Sequence, residues 1–196
     1  MARDAGKVLS LFFVGVAWAM SAGCSSTGNS SGYMGPAGDP VQLMAAVRAN
    51  EDRQVLDLLS QGVAPDHYAG NGESPLMVAA ASGNRRVTRL LLAAGAEVNA
   101  QSEDGSTAVI RAAENGHLAV VRTLLAAGAN VNVSQHGQSL LMKVVASGDL
   151  LTAEMLLAAG ADVHFQDAGG RTALDLARAG HNQDLEMLLV QAGAAR

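Results

Sequence analysis

The most constraining feature of this sequence is the regular spacing of five glycines. They are separated by 33, 33, 32 and 33 residues, and the last four are each followed by alanine: Gly62, Gly95, Gly128, Gly160 and Gly193. A period of this length indicates short structural units stacked into a solenoid. One such unit cannot cover its own apolar face, so its stability must come from contact with its neighbours.

Within each unit, residue types at fixed offsets predict two helices joined by a tight turn. A hydroxyl side chain that can cap a helix N-terminus stands 21 residues before four of the five glycines: Ser74, Thr107, Ser139 and Thr172. Val41 stands at the corresponding place of the first unit. A second set of glycines is expected to break the chain between the two helices: Gly83, Gly116 and Gly148. We expect Gly95, Gly128 and Gly160 to supply the left-handed conformation that ends each second helix.

The best-preserved unit, residues 72–100, reads GESPLMVAAASGNRRVTRLLLAAGAEVNA and resembles the ankyrin consensus along its whole length. The next unit keeps Gly105, Thr107 and the pair Gly116-His117. The resemblance implies an all-α solenoid of about five ankyrin repeats, each a helix-turn-helix with a β-hairpin loop, over residues 39–196. The predicted units lie near 39–67, 68–100, 101–133, 134–165 and 166–196.

Two departures from the ankyrin pattern carry information. The first lies where the tetrapeptide Thr-Pro-Leu-His places its histidine, a position held here by Met44, Met77, Ile110, Met142 and Asp175. These apolar side chains either fill gaps between helices or form an exposed stripe for a partner. The second is the loop at residues 132–138, which is one residue shorter than its counterpart at 99–106.

The N-terminal 24 residues are predicted to be an export signal. Arg3 and Lys7 precede the uncharged run VLSLFFVGVAWAM at residues 8–20, which is too short for a membrane-spanning helix. The following Ser21-Ala22-Gly23-Cys24 resembles the lipobox of bacterial lipoproteins. The resemblance implies a signal peptide at 1–23, cleavage before Cys24, acylation of Cys24 with fatty acid, and anchoring in the outer membrane facing the periplasm. The alternatives are a soluble periplasmic protein and an uncleaved anchor.

Residues 24–38, which join this signal to the repeats, are predicted to form a flexible tether. Residues 25–38 contain no charged group and are rich in serine and glycine. Such a segment buries too little apolar surface to offset the entropy of ordering it.

The composition argues against several functional classes. The formal net charge is −5, which gives no basic footprint for nucleic acid. The single cysteine and the absence of histidine pairs at ligand spacing predict no metal site. His117 and His181 each follow a glycine, as in the ankyrin Gly-His pair, which indicates a structural placement. No catalytic or phosphate-binding motif is present, so the sequence predicts a non-catalytic, monomeric protein without a cofactor.

The resemblance to ankyrin proteins implies that a protein partner contacts the hairpin fingertips and the concave, exposed side of the first helices. Mapped onto this chain, the predicted contact residues are Tyr68, Asn71, Glu73, Gln101, Glu103, Asp104, Ser106, Glu114, Asn115, Gln135, His136, Gln138, Gln166, Asp167 and Arg171. Their acidic and amide groups predict a polar or mildly basic partner. Tyr68 and Phe165 are either anchors for that partner or rings packed on their own hairpins.

Three roles use the same surface. The first is an adaptor that holds a partner protein at the membrane. The second is an immunity protein or inhibitor that occludes an exported toxin or enzyme. The third is an accessory factor for a periplasmic enzyme.

Overall fold

The helices of this protein occur as five consecutive pairs in a computed structural model that describes residues 39–194. The first helices of the pairs are α1 (Pro40–Arg48), α3 (Pro75–Ala81), α5 (Ala108–Glu114), α7 (Leu140–Ser147) and α9 (Ala173–Ala179). The second helices are α2 (Asp52–Ser60), α4 (Arg85–Ala93), α6 (Leu118–Ala126), α8 (Leu150–Ala158) and α10 (Gln183–Gln191). A short hairpin of β1 (Ser134–Gln135) and β2 (Gln138–Ser139) precedes α7. Within residues 39–194 no helix combines the length and the apolar character that crossing a membrane requires.

The pairs stack in two layers. Each first helix packs against the first helix of the next pair, and each second helix packs against the next second helix. The predicted all-α solenoid is therefore confirmed. The predicted signal peptide at 1–23, Cys24 and the predicted tether at 24–38 lie outside the described residues, and so do residues 195–196 of the predicted repeat domain.

Side-chain caps fix where the helices begin. The four predicted hydroxyl caps accept a hydrogen bond from the backbone N–H three residues later, at 3.3, 3.4, 3.2 and 3.3 Å: Ser74, Thr107, Ser139 and Thr172. Three second helices are capped in the same way by Asn84, Asp149 and Asn182. The first helix begins at Pro40 with Asp39 as its cap. Val41, expected at the cap position, lies inside that helix and is 60% exposed.

One residue in the left-handed region turns the chain between the two helices of every pair. This residue is glycine in the three central pairs, with φ of 72°, 70° and 79°, as predicted for Gly83, Gly116 and Gly148. In the last pair it is His181 (φ 54°), whereas Gly180 has φ −81°. His117 instead occupies the cap position of α6. The last Gly-His pair is therefore displaced by one residue relative to Gly116-His117.

The core consists of aliphatic columns that run through the stack. One column contains a leucine from each second helix, all at most 6% exposed: Leu58, Leu91, Leu124, Leu156 and Leu189. A second column contains the side chains that stand where the ankyrin tetrapeptide has its histidine. All four are at most 5% exposed: Met44, Met77, Ile110 and Met142. These side chains therefore fill the core, and the alternative of an exposed apolar stripe is wrong. Asp175 differs because it is exposed and forms a capping box with Thr172.

The loops that link the pairs, here called fingers, are closed by their own hydrogen bonds. In three of them a backbone N–H bonds the carbonyl four residues later: Ala69 to Glu73, Ser102 to Ser106 and Asp167 to Arg171. The fourth finger is a hairpin in which Gln135 pairs with Gln138. Its two turn residues, His136 (φ 53°) and Gly137 (φ 76°), match a type I′ turn. This tighter turn accounts for the 32-residue spacing.

Candidate partner-binding surface

Most of the residues predicted to contact a partner are accessible. Ten of the fifteen are exposed: Tyr68, Asn71, Gln101, Glu103, Asp104, Glu114, Asn115, His136, Gln166 and Arg171. Three more are half-buried: Glu73, Gln138 and Asp167. The fingers and the ends of the first helices therefore present a continuous set of polar groups.

Ser106 and Gln135 are corrections to the predicted surface. They are 0% and 5% exposed, so neither side chain is available to a partner. Ser106 lies at the base of its finger, next to the cap residue of α5. Gln135 follows an exposed residue in β1, and successive side chains of a strand point to opposite faces.

Asp104 is a fixed group and not the freely solvated fingertip carboxylate that its position suggested. It accepts hydrogen bonds from the hydroxyl of Ser102, from the backbone N–H of Ser106 at 3.2 Å and from Nε2 of Gln135 at 2.8 Å. The Ser102 hydrogen bond is the main cause that holds the pKa of Asp104 below its ordinary value, and Arg111, 3.7 Å away, adds to it. Since Gln135 belongs to the following unit, Asp104 connects two successive fingers.

The last finger is organised around Asp167. Its carboxylate accepts hydrogen bonds from the backbone N–H groups of Gly169 and Arg171 at 2.8 and 2.9 Å. The Arg171 guanidinium lies 2.7 Å away. The backbone hydrogen bond from Arg171 is the largest cause lowering the pKa of Asp167. The Arg171 charge is thus balanced within its own finger.

The two aromatic residues of the repeat domain differ in role. Phe165 packs against the core, as the local-packing alternative predicts. Tyr68 is 41% exposed, and its hydroxyl donates a hydrogen bond of 2.9 Å to Oε2 of Glu97 in the loop that follows α4. Burial, followed by that hydrogen bond and the Glu97 charge, raises the pKa of Tyr68 to about 12. Tyr68 therefore presents part of its ring to solvent while its hydroxyl is held in place.

The first-helix layer contains a depression of about 230 Å³ between α5 and α7. Ion-paired and neutral polar groups line it, including Glu114, Lys143, Gln138 and Ser147. Nζ of Lys143 lies 2.7 Å from Oε1 of Glu114. The depression thus offers hydrogen-bonding groups around a balanced pair of charges, which suits a polar partner group and provides no nucleophile with an activating base.

A ladder of polar contacts between units was not foreseen from the sequence. A side-chain oxygen four residues after the repeat glycine accepts a backbone N–H from the next unit. The three pairs are Asp66 with Glu97, Asn99 with Asn130 and Asn132 with Asp162, at 3.0, 2.8 and 2.8 Å. The signal was present as Asp or Asn at a constant offset from Gly62, Gly95 and Gly128. The ladder keeps the bases of the fingers in register.

Stacked helix pairs joined by projecting fingers define the class of helical repeat proteins. Within that class, residues 43–135 match the family model for three copies of the ankyrin repeat. This part of the chain therefore consists of ankyrin repeats, which are generally non-catalytic modules for binding other proteins. The same paired-helix geometry continues through α10. Comparison with curated proteins gave no match.

The described residues contain no cluster of three or more histidine, cysteine, aspartate or glutamate side chains placed to hold a metal ion.

Proposed function

We propose that this chain is a membrane-tethered adaptor that binds a periplasmic protein through its fingers and the exposed side of its first helices. Ten polar or aromatic side chains at these positions are exposed, and this observation carries the proposal. The fingers hold them in defined places because each finger is closed by backbone hydrogen bonds. Such preorganisation limits the entropy lost on binding.

The surface chemistry indicates which kind of partner fits. Glu103 is an exposed fingertip carboxylate, and within residues 39–194 no basic side chain pairs with it. Asp104 and Glu114 are also exposed, and each is ion-paired, with Arg111 and Lys143 respectively. A polar partner with some basic groups would complement this arrangement. Charge complementarity of this kind favours fast association and specificity.

Lipid attachment is proposed at Cys24, on the basis of the lipobox-like sequence Ser21-Ala22-Gly23-Cys24. Two or more buried acyl chains give stable anchoring. The tether at 24–38 would then allow the repeats to reach a partner near the membrane, with the outer membrane as the proposed site.

The anchor is tested by replacing Cys24 with serine in the full chain. We expect the variant to lose labelling by a palmitate analogue and to move from the membrane to the soluble fraction, since serine lacks the thiol that is acylated. Cys24 is the only cysteine, so any remaining label would identify another attachment site and contradict the proposal. Ser25→Ala, one residue away, is the matched control and should label normally.

The contact surface is tested with the partner that crosslinking in intact cells and mass spectrometry identify. The double variant Tyr68→Ala/Glu103→Ala should lose at least about tenfold in affinity by titration calorimetry, because truncating an aromatic anchor is costly. Tyr68→Phe is the matched control, since it keeps the ring and removes only the hydroxyl bonded to Glu97. It should bind within about twofold of the parent.

Full affinity in the double variant, with an unchanged urea midpoint, would place the contact surface elsewhere on the chain. The identity of the crosslinked protein separates the adaptor from the two other roles: a toxin or an enzyme whose activity falls on binding indicates an inhibitor, and an enzyme whose activity rises indicates an accessory factor.

A further inference from the structure

The second-helix layer contains a group of arginines that the proposed contact surface does not use. Helices α4 and α6 together carry four arginines and no acidic residue, and all four arginines are exposed: Arg85, Arg86, Arg89 and Arg122. We call this set the arginine face. Arg86 lies 3.6 Å from Asp52, and within residues 39–194 the other three have no carboxylate within 4.0 Å.

The remaining basic side chains of the first helices and fingers are neutralised. Each of them has a carboxylate within 4.0 Å: Arg48, Arg111, Lys143, Arg171 and Arg178. The unbalanced positive charge of the repeats is therefore concentrated on the second-helix layer, in a chain whose formal net charge is −5.

The arginine face is contiguous. Arg85 and Arg89 are four residues apart and so share one side of α4. Arg122 holds in α6 the position that Arg89 holds in α4, 33 residues earlier, and the two helices pack side by side. The three arginines of α4, together with Leu90 and Ala93, line a shallow open depression.

The charge of the layer changes on both sides of α4 and α6, because α2 carries Asp52, Arg53 and Asp57 and the later helices are acidic. Helices α8 and α10 carry Glu154, Asp184 and Glu186 and no basic residue. A layer whose positive charge lies at α4 and α6, between helices with a net negative charge, presents a local positive potential to a charged surface.

We propose that the arginine face binds the anionic phospholipid headgroups of a membrane surface. Guanidinium groups make paired hydrogen bonds to phosphate oxygens, and the depression on α4 surrounds its centre with three of them. A basic group near an anionic bilayer contributes about a fivefold gain in partitioning. The three unpaired arginines, Arg85, Arg89 and Arg122, therefore suffice to orient a domain that is already close to the membrane.

A lipid surface fits the arginine face better than an acidic protein does. Protein interfaces are anchored by aromatic side chains in packed pockets, and α4 and α6 contain no aromatic residue. The residues between the arginines include the small and exposed Ala93, Ala94 and Ala119. Contact through this layer leaves the fingers and the first helices free for a partner.

The test uses residues 39–196 without acylation, so its outcome does not depend on the proposed lipid at Cys24. This segment contains its own core, which extends from Leu43 to Leu189. Cosedimentation is measured at low salt with vesicles of equal parts phosphatidylglycerol and phosphatidylcholine, and with vesicles of phosphatidylcholine alone. We expect binding to the mixed vesicles only, and weaker binding as salt is added.

The decisive comparison is between two triple variants that change the net charge equally. Arg85→Gln/Arg89→Gln/Arg122→Gln should lose at least about tenfold in partitioning. Arg48→Gln/Arg171→Gln/Arg178→Gln, in the first-helix layer, the last finger and the last unit, should stay within about twofold of the parent. Circular dichroism melts confirm that both variants are folded.

Three outcomes would overturn the proposal. The first is that the parent does not bind the mixed vesicles. The second is that the two triple variants lose partitioning onto vesicles to the same extent. The third is that the parent binds polyglutamate and does not bind vesicles. The last result would indicate an acidic protein as the ligand of the arginine face. The fatty-acid labelling experiment at Cys24 reports separately on the anchor.

Discussion

Replacing Gly83 with alanine is expected to destabilise the repeat domain more than the same change at Gly116, although the two glycines hold equivalent positions. Both have left-handed φ, of 72° and 70°, and a Cβ atom in that conformation costs about 1–2 kcal/mol. At Gly83 the added atom would also lie 2.6 Å from Nδ1 of His117, whereas at Gly116 nothing lies within 4 Å. Steric overlap in a packed site costs about 1–3 kcal/mol more.

Urea denaturation of residues 39–196 measures both changes, with Gly116→Ala as the control for backbone strain alone. The His117 ring cannot easily move away, because its Nε2 lies 3.0 Å from the carbonyl oxygen of Ala81 and ties two units together. Adding His117→Ala to Gly83→Ala should remove most of the difference between the two glycine variants. Equal midpoints for Gly83→Ala and Gly116→Ala would show that the ring is displaced without cost.

Leu124→Ala is expected to lower the free energy of unfolding by about 2–5 kcal/mol, the usual range for truncating a buried leucine. Leu124 is 0% exposed and stands in the middle of the leucine column formed by the second helices. Its neighbours belong to rigid, closely packed helices, so the cavity can collapse only in part.

Leu151→Ala is the matched control, since Leu151 lies on the next second helix and is 58% exposed. It should lower the free energy of unfolding by no more than about 0.5 kcal/mol. Similar shifts for the two leucines would mean that the helices are rotated from the positions described above.

The sequence predicted the fold because the residues of the ankyrin pattern act on the backbone of their immediate neighbours. Ser74 and Thr107 cap helices, and Gly95 and Gly128 have φ of 91° and 89° as expected. Each of these features depends on a few neighbouring residues, which a sequence displays directly. The leucine column of the core reflects the same regularity, since leucines at a constant offset in successive units share one column.

The errors arose where an outcome depends on residues distant in the sequence or on a shift of one position. The hydrogen bonds that hold Asp104 in place were not predicted, because Gln135, which binds it, lies 31 residues away. Gln135 itself was assigned to the surface, because only the strand register decides which way it points. Gly180-His181 matched the ankyrin pair by composition, but it stands one residue closer to the cap of its first helix than Gly116-His117 does, so His181 and not Gly180 is left-handed.

The candidate surface was predicted less fully than the fold for a further reason. Exposure of Tyr68 was foreseen, but its hydrogen bond to Glu97 spans 29 residues and has no local signature. The arginine face was not predicted from the sequence, because it depends on the packing of α4 against α6, which places Arg89 and Arg122 on neighbouring helices.

Because each finger is closed by its own backbone hydrogen bonds, a finger can be exchanged wherever no side chain ties it to the next one, as Asp104 is tied to Gln135. The Asp167–Arg171 finger closes on itself through its backbone and its aspartate, and the Gln135–Gln138 hairpin does so with one residue fewer. Loop length and loop sequence can therefore vary while the helices beneath keep their stacking. A descendant of this chain, or an engineer working from it, could exchange fingertips to acquire a new target without having to redesign the scaffold.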